Sequence, residues 1–217
     1  MTTVKIFKYE GKEATVSWSG RHCIHIGECG RAKGDLFIGG RKPWCDPDLA
    51  DNNEIRDVVL RCPTGALSVD FADGSGAETA DERNNVHVSY NGPLFVRGDL
   101  SIEGAAANVP GLRYRAALCR CGKSTNKPFC DNSHEEAGFR DYGAVGETGS
   151  SPADEHDKLE IKAIKNGPLM FNGDFTIQSS SGRESWNGNR AAICRCGESA
   201  NKPFCDGSQN KAGFEAA

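Results

Sequence analysis

The residues best suited to chemistry are cysteines in a spaced pattern. Cys119, Cys121 and Cys130 are followed by His134, in the order C-x-C-x8-C-D-x-S-H. Two thiolates one residue apart can bind one iron, and a Cys and a His four positions apart lie on one face of a helical turn and can bind a second. The pattern therefore favours a 2Fe–2S cluster with two protein ligands on each iron.

Other readings of these cysteines stay open. Structural zinc sites prefer C-x2–4-C pairs rather than C-x-C. The chain has 10 cysteines among 217 residues, and we expect its thiols to stay reduced in a cytosolic protein. A C-x-C pair is also a poor internal disulfide. Iron–sulfur ligation is the favoured interpretation, and zinc binding is the alternative.

The pattern occurs twice. Cys194, Cys196 and Cys205 lie 75 residues after the first three cysteines, and residues 91–94 (NGPL) recur at 166–169 at the same offset. Modules of this size rarely fold on a hydrophobic core alone, and metal binding or pairing usually supplies the missing stability. The sequence thus predicts two copies of one β-rich metal-binding module.

The second copy departs from the first at its last ligand position. Gln209 stands where the first copy has His134. Gln209 could ligate weakly through its amide oxygen, Asp206 or water could take the place, or the second site could be empty. The first copy instead has Asn132 where the second has Gly207, and we expect little disturbance because Asn tolerates the left-handed backbone conformation.

A different set of cysteines lies before the repeats. Cys23 and Cys29 form C-x5-C, and Cys62 is followed by Pro63. Bacterial ferredoxins use C-x2-C-x2-C with a distant C-P, so this segment keeps the first and third cysteines and the C-P, while Ile26 occupies the middle position.

The sequence leaves undecided which residue is the fourth ligand of this N-terminal site. Cys45 lies in a proline-flanked stretch and could swing to the site, which would give a 4Fe–4S cluster. A 3Fe–4S cluster on Cys23, Cys29 and Cys62, with Cys45 a buried bystander, is the first alternative. His25 as the fourth ligand is the second alternative.

The elements that must position these residues fall into an α+β arrangement. We expect an N-terminal domain at 1–72, a linker at 73–84, a first module at 85–145, a linker at 146–157 and a second module at 158–217. The linkers are polar and contain glycine.

Local patterns predict a few elements of the N-terminal domain. Apolar positions from Ile55 to Cys62 repeat at helical spacing, which predicts a helix beginning near Asp51. Val4–Phe7 and Ala14–Trp18 are predicted as strands on either side of a turn.

Composition excludes several classes of function. Lys and Arg number 26 against 30 Asp and Glu, and a net charge of −4 disfavours a nucleic-acid binder. No apolar run is long enough to span a membrane. The first 20 residues lack the apolar stretch of a secretory signal, so we expect a cytoplasmic protein without membrane contacts.

The repeated motif resembles the CDGSH iron–sulfur (mitoNEET-like) family. That resemblance implies a three-Cys-one-His 2Fe–2S cluster in a small β-rich fold, in which two modules pair about a two-fold axis. Two modules in one chain would then form an intramolecular pseudo-dimer. The implied ligand positions are Cys119, Cys121, Cys130 and His134 in the first module, and Cys194, Cys196 and Cys205 with Gln209 at the histidine position in the second.

Residues 3–72 resemble the divergent single-cluster 4Fe–4S ferredoxin domain. The segments RKPW at 41–44 and CPTGAL at 62–67 carry the resemblance. It implies a small ferredoxin-like domain with a 4Fe–4S (or 3Fe–4S) cluster.

Together these motifs predict a redox protein rather than an enzyme. The sequence has no nucleophile elbow, phosphate loop or dinucleotide fingerprint. We expect single-electron transfer to redox partner proteins of the reductase or ferredoxin type, by a monomer or weak homodimer. Cluster transfer or redox and pH sensing is the alternative, and a zinc interaction module is a third. Because imidazole can be protonated near neutral pH, we predict an acid-labile cluster at His134.

Overall fold

The computed structural model describes residues 3–146, 149 and 158–216. Within these residues the chain is mixed α+β, mostly sheet with short helices, as the sequence predicts at this coarse level. In the same part of the chain, no helix has the length and apolarity needed to cross a membrane.

The N-terminal part contains a small antiparallel sheet and one packed helix. Strands β1 (Phe7–Glu10), β2 (Ala14–Trp18) and β3 (Leu67–Phe71) lie in the order β1-β2-β3. Helix α1 (Asn52–Arg61) connects β2 to β3 and packs against them. This arrangement leaves the segment between β2 and α1, which carries most of the N-terminal cysteines, to form loops and short 3-10 turns.

The predicted helix start is confirmed. The Asp51 carboxylate accepts hydrogen bonds from the backbone N–H groups of Asn53 and Glu54, each at 2.9 Å, and so caps the helix. Ile55 and Val59 on the inner face are 1% and 2% exposed. The helix therefore forms for the local reasons visible in the sequence: a good cap and an apolar stripe.

The predicted strand Val4–Phe7 is wrong, because β1 begins only at Phe7. The Val4 backbone instead exchanges two hydrogen bonds with the Asn108 side chain, at 3.3 and 2.7 Å. Val4 and Ile6 pack on the core of the repeats. A long-range contact thus takes the backbone groups that a strand would have used.

Both copies of the repeat build one second sheet. The first copy supplies β4 (Asn85–Val88), β5 (Leu94–Arg97), β6 (Leu100–Ile102) and β7 (Arg115–Leu118). The second copy supplies β8 (Leu159–Ala163), β9 (Leu169–Gln178) and β10 (Glu184–Ile193). Among the described residues the order is β6-β8-β9-β4-β5-β7, with β10 paired to β9. Short helices α2 (Ser133–Glu136) and α3 (Ser208–Lys211) follow the last cysteine of each copy.

The two copies exchange strand contacts reciprocally. β6 pairs in parallel with β8, placing Ser101 opposite Glu160. β4 pairs in parallel with the end of β9, placing Asn85 opposite Thr176. These two pairs are equivalent under the repeat offset. Because one hydrophobic core runs through both copies, each copy completes the sheet of the other.

A buried arginine fixes the N-terminal part to the first copy. The Arg115 side chain in β7 is fully buried and donates to both carboxylate oxygens of Glu78, at 2.6 and 2.7 Å. It also donates to the backbone carbonyls of Val59, Cys62 and Leu67. One guanidinium from the repeat therefore pairs with the segment before it and caps carbonyls of the N-terminal part.

The structure describes the first predicted linker completely and the second only in part. Residues 73–84 contain no regular helix or strand, but Glu78 anchors this segment to Arg115. Most of 146–157 lies outside the described residues.

Candidate metal centres

The first centre forms where the chain after β7 pairs back on itself. The Cys119 N–H donates to the Pro128 carbonyl and the Cys130 N–H donates to the Ala117 carbonyl, each at 2.9 Å. This short antiparallel pairing places the C-x-C segment beside the third cysteine. α2 then begins after Cys130 and brings His134 back to it.

The four predicted donors form two close pairs. The Cys119 and Cys121 Sγ atoms are 3.7 Å apart, and Cys130 Sγ lies 3.4 Å from His134 Nδ1. With metal–sulfur bonds near 2.3 Å and metal–nitrogen bonds near 2.0 Å, two ligands of one tetrahedral metal lie about 3.8 Å apart for S–S and about 3.5 Å for S–N. Each pair thus has the spacing of two ligands on one metal ion, and all four side chains are buried.

A single metal ion fits this arrangement poorly. Among the residues that the structure describes, no three His, Cys, Asp or Glu side chains converge as a site for one ion. A 2Fe–2S unit needs two donors at each of two irons rather than four at one point. Two pairs of donors are therefore compatible with the predicted 2Fe–2S cluster.

Burial and mutual contact keep most of these cysteines protonated unless a metal charge offsets their thiolates. Burial raises the pKa of Cys130 to about 12. Cys121 donates its S–H to Cys119, which lowers the pKa of Cys119 and raises its own. Backbone N–H groups of Lys123 and Asn132 point at Cys121 and Cys130 sulfurs at 3.4 Å. Several thiolates could not be buried together without metal charge to offset them.

Asp131 of the motif organises the loop. Its carboxylate accepts from the Thr125 N–H and hydroxyl at 2.7 and 2.8 Å, and from the Ser133 N–H and hydroxyl at 3.1 and 2.6 Å. Although burial opposes the charge, these hydrogen bonds hold the pKa of Asp131 well below its usual range. Asn132 has φ +74° and Gly207 φ +87°, so the expectation that Asn fits the left-handed position is confirmed.

The second centre repeats this geometry with glutamine in place of histidine. The Cys194 and Cys196 sulfurs are 3.6 Å apart. Cys205 Sγ lies 3.2 Å from Gln209 Oε1, so the amide oxygen lies where the first copy has an imidazole nitrogen. Cys205 and Gln209 are half-buried, whereas Cys130 and His134 of the first copy are buried.

The Asp206 carboxylate accepts hydrogen bonds from its own loop. Its two carboxylate oxygens accept from the Ala200 and Ser208 N–H groups at 2.8 and 3.0 Å. The side-chain and backbone hydrogen bonds from Ser208, with that from Ala200, lower the pKa of Asp206 to about 2. Of the three interpretations of this position, the geometry favours Gln209 as the group that faces the site.

The N-terminal cysteines surround a cavity of about 510 Å³. Cys23, Cys29 and Cys62 line it, together with aromatic and aliphatic side chains. Burial raises the pKa of Cys29, and the neighbouring Cys23 and Cys62 sulfurs raise it further. The structure therefore brings three of the four predicted N-terminal ligands to one space.

Cys45 does not reach this cavity. It is 1% exposed and packs in the hydrophobic core with Leu36 and Phe37. The preceding residue, Trp44, lines the cavity. Cys29 and Cys62 pack against the same core cluster, so Cys45 lies near the site without lining its cavity, and its role as the fourth ligand stays a prediction.

The N-terminal site and the first repeat site lie against each other. Ile24, between the first cysteine and His25, is 3% exposed and packs with Ala117 and Cys130. The His22 ring lies edge-on to Phe129, with centroids 4.9 Å apart. Nothing in the local sequence marks these residues as an interface.

The two repeat sites also meet. Gly122 and Gly197, which follow the C-x-C pair in each copy, have φ +78° and +89°. A Cβ on Gly122 would lie 2.4 Å from the Cys196 carbonyl oxygen, and one on Gly197 would lie 2.8 Å from that of Cys121. The recurrence of Gly after C-x-C is the sequence signal for this close approach.

Comparison with known families finds matches in both parts of the chain. Residues 91–135 and 166–208 match the family described as iron-binding zinc finger CDGSH type, once in each repeat. The chain belongs to the CDGSH iron–sulfur family. In this CDGSH protein the second match ends one residue before Gln209. Residues 9–70 match the divergent 4Fe–4S mono-cluster family, so the chain is an iron–sulfur protein in both parts.

Curated relatives of the CDGSH protein cover a short stretch. The uncharacterized protein YjdI of Escherichia coli K12 is 41% identical over 59 residues, which are 27% of this chain and 78% of the relative. YjdI of Escherichia coli O157:H7 gives the same identity and coverage. No solved structure matches the chain.

Proposed function

We propose that the protein transfers single electrons between redox partner proteins of the reductase or ferredoxin type, as a carrier rather than an enzyme. Each repeat would hold a 2Fe–2S cluster and the ferredoxin-like N-terminal domain a 4Fe–4S cluster. Such clusters supply one-electron redox centres whose potentials depend on ligands, charge and solvent exposure.

The observation that carries this proposal is the contact between the three ligand loops. Ile24 of the N-terminal loop packs on Cys130 of the first repeat. Gly122 of the first repeat approaches the Cys196 backbone of the second. The ligand loop of the first repeat thus contacts both of the others, through the buried Ile24 side chain on one side and through the Gly122 backbone on the other.

The reciprocal strand contacts support an intramolecular pseudo-dimer. The pairs Ser101–Glu160 and Thr176–Asn85 are related by exchange of the two copies. The approaches of Gly122 and Gly197 are related in the same way. As proposed, this arrangement would make a second chain unnecessary for assembling both repeat sites.

EPR spectroscopy of the chemically reduced protein tests the electron-transfer proposal. Neighbouring reduced centres should broaden or split each other's signals, and replacing Cys23 by Ser should remove the part of this interaction that involves the N-terminal centre. Signals that add up as isolated centres, unchanged in the Cys23→Ser variant, would argue against communicating centres.

One observation favours cluster donation as a second function. The Cys205 and Gln209 side chains are half-buried, and an amide oxygen is a weaker ligand for iron than imidazole. Mixing the protein with an apo-ferredoxin acceptor distinguishes the two functions. A donor loses its visible absorbance as the acceptor gains colour, whereas a carrier keeps its spectrum through repeated reduction and oxidation.

A further inference from the structure

We infer that His25 is the fourth protein ligand of the N-terminal cluster, which would then be held by Cys23, His25, Cys29 and Cys62. The inference deepens the proposed function and rests on it, since it assumes that the N-terminal domain binds an iron–sulfur cluster. It assigns a structural role to Cys45.

His25 and the three N-terminal cysteines lie around one cavity. The His25 Nδ1 lies 4.0 Å from Cys23 Sγ, and because each iron of a 4Fe–4S cluster takes one protein ligand, the ring would turn away from Cys23 to bind an iron of its own. Ile26, which occupies the middle cysteine position of the ferredoxin pattern, also lines the cavity but carries no donor atom. The imidazole one residue earlier carries a donor atom, whereas the Glu28 carboxylate, which also lines the cavity, pairs with Arg61 at 3.5 Å.

The backbone of the loop is shaped to present this ring. His25 has φ +54°, in the left-handed region that non-glycine residues rarely adopt. Gly27 follows with φ +89°. A rarely adopted backbone conformation persists where the surrounding structure enforces it. Here the preceding residue, Ile24, is buried, and His25 itself is exposed on the cavity wall.

Backbone pairing holds the competing ligand, Cys45, in the core beside the cavity. Phe37 and Cys45 face each other in an antiparallel bridge. On either side of it, the Ile38 N–H donates to the Trp44 carbonyl at 3.0 Å and the Asp46 N–H donates to the Leu36 carbonyl at 2.9 Å. Bringing the Cys45 sulfur to the cavity would empty its place in the core, and any backbone rotation that this required would break these hydrogen bonds.

The donor set is chemically suited to iron. Three thiolates and one neutral imidazole carry one negative charge fewer than four thiolates, and histidine ligation raises the reduction potential of Rieske centres by the same logic. His25 would thus repeat at the N-terminal centre the ligand chemistry proposed for His134.

Iron analysis and EPR on three variants of the full-length protein test the inference. The variants are His25→Ala, His25→Cys and Cys45→Ser, each purified without oxygen. Loss of the fourth ligand should convert a four-iron centre to a three-iron centre, which lowers the iron content by about one per chain and gives an EPR signal in the oxidised state. We expect this in His25→Ala only. His25→Cys should restore the lost iron.

Other outcomes separate the possible failures. If Cys45→Ser loses the iron and His25→Ala does not, Cys45 is the ligand and the inference is overturned. If the unaltered protein already contains a three-iron centre that no variant changes, the inference fails while the iron–sulfur function stands. If the N-terminal domain binds no iron in any variant while the repeats do, the proposed three-centre function fails as well.

Discussion

Removing the Arg115 guanidinium should detach the N-terminal part from the repeats. The side chain is fully buried, pairs with Glu78 through two hydrogen bonds and donates to three backbone carbonyls. Deleting one partner of a buried ion pair typically costs about 3–5 kcal/mol, because the other charge stays buried and unpaired. We therefore expect Arg115→Met to lower the free energy of unfolding by about that amount.

The repeat provides a matched control. Arg190 occupies the equivalent position in the second copy and is exposed, so Arg190→Met should change stability by no more than about 0.5 kcal/mol. Adding Glu78→Gln to Arg115→Met should recover part of the loss, since the orphaned carboxylate is then neutral.

Urea unfolding under anaerobic conditions measures these differences. Tryptophan fluorescence reports on the N-terminal part through Trp18 and Trp44, and on the second repeat through Trp186. The Arg115→Met variant should lose the N-terminal signal at lower urea than the unaltered protein. Equal unfolding curves for Arg115→Met and Arg190→Met would refute the assigned role of Arg115.

Three further predictions concern the centres and their contacts. His134→Cys should slow the acid-driven loss of visible absorbance, because the iron–thiolate bond resists displacement by a proton more than the iron–imidazole bond does. Gln209→His should add a new acid-labile phase, and unchanged acid stability in both variants would contradict the ligand assignment. Burial, with the nearby Arg21, lowers the pKa of His22 from 6.5 to about 4, so the unfolded chain binds the proton first as pH falls. His22 should therefore lower the free energy of unfolding by about 2 kcal/mol at pH 5 relative to pH 7. The His22→Asn variant should lack this difference when urea unfolding is compared at the two pH values. Gly122→Ala should destabilise more than Gly138→Ala, because both have positive φ but only Gly122 meets the backbone of the other repeat, and equal melting temperatures would argue against that close approach.

The features that sequence reasoning predicts correctly depend on neighbouring residues. Helix α1 follows from the Asp51 cap and its apolar stripe, and the left-handed turn at Asn132 follows from side-chain size and shape. The ligand assignments stay predictions, but the spacing of Cys119 and Cys121 already implies the close pair that the structure contains.

The features that it misses depend on distant contacts. Whether Cys45 faces the cavity or the core is decided by its bridge to Phe37, and no local pattern reports that pairing. The anchoring of Val4 on Asn108 and of Glu78 on Arg115 joins residues far apart in the chain. The sequence repeat predicts two similar modules, but it does not predict that strands of one module pair with strands of the other.

Iron and acid-labile sulfide analysis of protein purified without oxygen tests the central claim most directly. The account predicts about eight irons per chain, four in the N-terminal centre and two in each repeat, with matching sulfide. A natively folded preparation that contains zinc and no iron or sulfide would contradict it.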